Sequence, residues 1–132
     1  MRLYTLEEAK KVLPHVIPVV EQLRAAYVEL RAIQAATAAM ARGVTADGHA
    51  LETSWAQKEG EVDPVSSWME KMEEAATRLE AWGIEVKDPE RGLIDFYHER
   101  DGQTVYLCWQ LGEPDIEWWH DTEAGFAGRQ PL

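Results

Sequence analysis

The hydrophobic period of this chain changes once, at the Gly83-Ile84 junction, from the three-and-four spacing of a helix to the alternation of a strand. No single regular element accommodates both periods, so helices come first and an antiparallel sheet follows, an α+β arrangement. A length of 132 residues suits one hydrophobic core rather than two. Residues 1–132 are therefore read as a single domain, with a helical hairpin over 1–83 and a C-terminal sheet with an ordered tail over 84–132.

Thr5 and Glu8 have the spacing of a capping box, which starts the first helix near Leu6. Leu13, Val16, Val20, Leu23, Tyr27, Leu30, Thr37 and Ala41 continue it as a narrow apolar stripe. Pro14 and Pro18 each remove an amide donor, so the helix is expected to kink there or to restart near Pro14. Gly43 and Ala46-Asp47-Gly48 read as a turn. Leu51, Trp55, Val62, Val65, Met69, Met72, Ala76, Leu79 and Trp82 then resume the helical spacing. Gly60 weakens this second arm and Asp63-Pro64 caps a fresh start, so two helices joined by a kink are expected, closed by Gly83. The arms form a long, antiparallel, coiled-coil-like hairpin with a half-covered seam. A homodimer through the arms covers that seam; the alternative is that the C-terminal sheet folds back over it.

The runs IEVK, LIDFYH, TVYLCWQ and IEWWH predict three to four antiparallel strands, separated by the turn formers Asp88-Pro89, Asp101-Gly102 and Gly112-Glu113-Pro114-Asp115. Asp101-Gly102 as a two-residue turn fixes one register. Ile94 faces Trp109, Phe96 faces Leu107 and His98 faces Val105 on an apolar side; Asp95 faces Cys108 and Tyr97 faces Tyr106 on the other.

The pieces Val86-Lys87-Asp88, Gly92-Leu93-Ile94-Asp95-Phe96, Val105-Tyr106-Leu107-Cys108-Trp109, Leu111-Gly112-Glu113, Trp119-His120 and Gly125-Phe126-Ala127-Gly128-Arg129-Gln130-Pro131-Leu132 resemble the pattern of a bacterial domain-of-unknown-function family, number 2203. Leu6-Glu7-Glu8-Ala9 and Leu13-Pro14 also fit it. The resemblance covers nearly the whole chain except Gly43 to Asp63. It implies a stand-alone bacterial protein and carries no activity to transfer.

Charge excludes several partners. With 24 acidic against 13 basic side chains the formal net charge is −11, which repels nucleic acid and anionic membrane surfaces. The sequence shows neither a membrane-spanning run nor a signal peptide, so a cytoplasmic protein is expected. A single cysteine forms no internal disulfide.

The densest chemistry lies in Val105 to Leu132, which holds three tryptophans, Cys108, His120, five carboxylates and Arg129. Cys108, Glu113, His120, Asp121 and Glu123 are candidate ligands for a divalent metal, zinc or iron, although no close ligand pair such as C-x-x-C marks a structural zinc site. A four-residue loop at Gly112 to Asp115 pairs Leu107 with His120, setting His120 on the apolar face away from Cys108; a bulge reverses that placement. The opposing reading makes Cys108 a small buried hydrophobe and His120 a structural residue. A cysteine inside a strand with acidic neighbours is expected to be an inert thiol. Asp115 with Glu117 and Asp121 with Glu123 offer carboxylate pairs for acid–base work or a solvated rim. Arg129, alone among five acids, is read as the anchor of the tail through Glu113, Asp121 or Glu123, or else as the clamp of a small anion with Asp95 and Tyr106 beside it.

Two functions follow. One is a non-catalytic interaction or scaffold protein that self-associates through its hairpin and docks a protein partner. The other is a metal- or small-ligand-binding protein, with a hydrolytic or redox step at the C-terminal cluster. The leading expectation is the non-enzymatic scaffold.

Overall fold

The computed structural model describes residues 1–42 and 63–132, and its first helix begins where the capping box requires. Thr5 Oγ1 accepts from the Glu8 amide at 3.1 Å, and Glu8 Oε1 accepts from the Thr5 amide at 2.9 Å. From there α1 runs unbroken over Leu6–Arg42, with Pro14 and Pro18 inside it. No restart occurs at Pro14. Both prolines are exposed, as is Lys10, so the carbonyls they leave unpaired are on the solvent side.

Helix α2, Pro64–Ala81, is capped by Asp63, whose carboxylate accepts from the Val65 amide at 3.2 Å and the Ser66 hydroxyl at 3.1 Å. Gly83 ends it at φ +72°, where a Cβ would come within 2.9 Å of the Arg2 Cβ. The two helices are antiparallel: Gln22 Nε2 donates to Lys71 O at 2.9 Å, and the Tyr4 hydroxyl donates to Trp82 O. The apolar face of α2 keeps Val65, Met72, Leu79 and Trp82 of the expected stripe and differs at two positions. Met69 and Ala76 are exposed, while Val65, Trp68, Met72, Ala75, Leu79 and Trp82 turn inward. Three-and-four spacing admits Trp68 or Met69 and Ala75 or Ala76 between those anchors, and contact with the rest of the fold selects Trp68 and Ala75. The turn expected at Gly43 and Ala46-Asp47-Gly48, the spacing through Leu51, Trp55 and Val62, and the break at Gly60 lie outside the described residues.

Five strands follow, where three to four were expected: β1 Ile84–Asp88, β2 Leu93–Arg100, β3 Gln103–Gln110, β4 Trp118–Asp121 and β5 Gln130–Pro131. They form one antiparallel sheet in chain order. The additional strand is the tail, paired with Trp118 and Trp119 and held further by the Leu132 amide donating to Glu117 O at 3.0 Å. The β2–β3 register is the one that the Asp101-Gly102 turn predicts, with φ +52° and +78° at the two turn residues.

Ile94, Phe96, Leu107 and Trp109 form the apolar side of the sheet and share one core with Leu13, Val16, Val20 and Leu23 of α1 and with Ala75 and Leu79 of α2. The sheet thus covers the part of the helical seam from Leu13 to Leu23 within one chain. Toward the far end of α1, Thr37 and Ala41 are exposed. Among the described residues no helix is long and apolar enough to cross a membrane.

Candidate metal centre

The sheet side opposite the helices carries the unusual chemistry, and the register of β4 decides who meets there. Tyr106 pairs with His120 and Cys108 with Trp118, one residue away from the register of a four-residue loop. The expected placement of His120 on the apolar face is therefore corrected: His120 shares the polar face with Cys108. The cause is the connection. Leu111 extends the β2–β3 pairing by donating to Gly92 O at 3.0 Å, Trp109 Nε1 donates to Glu113 O at 3.2 Å, and Ile116 is buried in the core, so the next strand begins only at Trp118. A one-residue slip transfers the whole strand to the other face.

Asp95, Cys108 and His120 come together there, 0%, 1% and 2% exposed. The thiol sulfur, a carboxylate oxygen and an imidazole nitrogen all lie within 4.8 Å of one another. His120 Nδ1 is 2.7 Å from Asp121 O, which can only accept, so Nδ1 carries a proton. Nε2 is 3.0 Å from Asp95 Oδ2, and one proton is shared across that contact. Asp95 Oδ1 is buried and has no hydrogen-bond partner among the described residues. Burial raises the Asp95 pKa, against the opposing pull of His120. Burial, reinforced by the Asp95 carboxylate, pushes the Cys108 thiol up to about 12.

Beside the trio, Glu85 accepts from the hydroxyls of Tyr97 and, at 2.9 Å, Tyr106, and pairs with Lys87. Lys87 and then Tyr97 hold the Glu85 carboxyl below the usual range, while the hydrogen bond to Glu85 raises the Tyr97 pKa. Glu85, Lys87 and Tyr97 were missed from sequence. Their signal was the alternation in Ile84-Glu85-Val86-Lys87, which places Glu85 against Asp95 once β1 is paired with β2.

The other sequence candidates stand outside the trio. Glu113 Oε1 accepts from Arg129 at 2.6 Å and from the Gln110 amide at 2.6 Å. Asp121 Oδ1 accepts from the Glu123 and Ala124 amides at 2.9 and 2.7 Å, holding the turn after β4. Glu123 is exposed at the wall of a cavity of about 160 Å³, which Asp95, His120, Tyr106 and Lys87 also line. Phe126 lines the same cavity from the tail, with the Arg91 and Arg129 guanidinium groups 4.3 and 4.7 Å from its ring centre.

The model of the family described as an uncharacterized conserved protein (DUF2203) matches residues 2–132. The chain belongs to this family. The DUF2203 match spans the helices, the sheet and the tail alike, so Asp95, Cys108, His120 and Arg129 all fall inside it. The comparisons with curated proteins and with solved structures each returned no match.

Proposed function

We propose that this DUF2203 protein binds a divalent transition metal, zinc or iron, through Asp95, Cys108 and His120. The observation that carries the reading is the unpartnered Asp95 Oδ1, buried with the Cys108 sulfur and an imidazole nitrogen inside the same 4.8 Å cluster. Three further points support it. His120 gives Nδ1–H to a backbone carbonyl and turns Nε2 toward the cluster, the usual orientation of a metal-bound histidine. A divalent ion with one thiolate and one carboxylate is neutral, which a buried site tolerates far better than either anion alone. Donors around a tetrahedral zinc stand roughly 3.5 Å apart, and all three donors already lie within 4.8 Å of one another, so closing on an ion takes movements of at most about an ångström. The raised thiol pKa is no obstacle, because a bound cation reverses the local electrostatics and displaces the thiol proton.

The self-associating scaffold is the second reading: Leu13, Val16, Val20 and Leu23 are buried within the chain, while Tyr27 and Leu30 are half-buried and Thr37 and Ala41 exposed further along the same stripe. The test is elemental analysis of protein purified without an affinity tag. About one zinc or iron per chain is expected, lost in Cys108→Ser and His120→Ala, and reloading the metal-free protein should release about two protons per ion. Metal-free protein that takes up neither ion, in chains shown by circular dichroism to be folded, would sink the reading.

A further inference from the structure

Three protein donors leave a tetrahedral ion one position short. Among the described residues no fourth histidine, cysteine or acid joins the cluster. The nearby oxygens are engaged: the Tyr106 hydroxyl donates to Glu85, and Asp121 Oδ1 holds two backbone amides. Asp95 and His120 line the cavity and Cys108 does not, so the thiol sits behind and the missing position faces the cavity. A volume of about 160 Å³ holds a few water molecules or an organic ion of comparable size.

The wall supplies the rest of the chemistry. Lys87 is the cation among the residues lining it. Its ammonium pairs with Glu85 and stands 4.5 Å from the centre of the Tyr106 ring, which fixes it at the wall and leaves two of its three donors for a ligand. Glu123, the acid at the rim, is exposed, where solvent screens its charge. Phe126 bounds the space from the tail, and Gly125 before it has φ +66° and ψ −165°, a conformation essentially reserved for glycine.

We infer that the cavity is a ligand site for a small carboxylate, with one oxygen on the metal and the other on the Lys87 ammonium, and that Phe126 sets its size limit. The inference rests on the metal-binding reading, and one experiment separates the two.

Metal-free protein is loaded with Co²⁺ and its visible spectrum followed during titration with acetate, benzoate and imidazole. Acetate should shift the cobalt bands saturably at millimolar concentrations, and benzoate should leave them unchanged. Lys87→Gln should bind acetate about tenfold more weakly without altering the spectrum of the anion-free protein, a loss assigned to one charge-assisted contact. Phe126→Ala should admit benzoate. A thiolate-to-cobalt band that ignores acetate means a closed site and overturns this inference while leaving the metal reading intact. Absence of that band overturns the metal reading itself. A response to imidazole but not to acetate overturns the choice of an anion. Acetate binding unchanged in Lys87→Gln removes Lys87 from the site, and benzoate binding to the parent protein removes the size limit.

Discussion

At Cys108, burial and a neighbouring carboxylate act in the same direction, and both keep the proton on sulfur. With the thiol pushed up to about 12 and the residue 1% exposed, the metal-free native protein should resist modification. Labelling by a chromogenic disulfide, after chelator treatment, is expected to be at least about a hundredfold slower than in denaturant. Equal rates in the two conditions would mean that the strand opens freely, and the burial that sets the thiol pKa would not hold in solution. The expectation of an inert thiol came from the sequence, because a mid-strand cysteine has no helix N-terminus to lower its pKa. The company it keeps was not. Asp95 opposite Cys108 follows from the Asp101-Gly102 turn alone, but His120 arrives from a strand whose register depends on where Leu111 and Ile116 are drawn.

The tail shows how a short element is held by side chains rather than by its own ladder. Strand β5 has two residues, yet Arg129 reaches Glu113 at 2.6 Å, donates to Cys108 O at 3.4 Å and lies 5.2 Å from the centre of the Trp118 ring. The pair is largely shielded, with side chains 12% and 23% exposed. Arg129→Gln should therefore cost about 2 kcal/mol, roughly 1 M in a urea midpoint. A chain ending at Ala124 loses that contact and the β5 pairing as well, and should fall further. Parent-like midpoints for both variants would show that the tail does not stabilise the fold. The scarcity of cations after Arg100 pointed to Arg129, and three acids competed for it in the sequence. Glu113 has it in the structure, while Asp121 is committed to the turn after β4.

For the whole molecule, one apolar seam serves two partners at once. Leu23 is 5% exposed in a core built from both helices and the sheet. Leu23→Asp buries an unpaired charge there and should cost several kcal/mol, abolishing the cooperative thermal transition. Light scattering provides the contrast. A folded Leu23→Asp chain with half the mass of the parent would place Leu23 at an interface between copies and restore the dimeric seam.

The sequence by itself determined the α+β division at Gly83, the start of α1 and the cap of α2, and the β2–β3 register. Each is written in local terms: a hydrophobic period, a capping pair, a turn whose backbone angles admit few residues. Only the tertiary structure decided whether Trp68 or Met69 turns inward on α2, the covering of Leu13 to Leu23 by the sheet, the fifth strand and the face that His120 occupies. Those choices rest on competition between alternatives of equal local quality. A helical stripe leaves neighbouring positions such as Trp68 and Met69 open, a loop of uncertain length permits two registers, and the burial of distant side chains such as Ile116 and Trp109 breaks the tie.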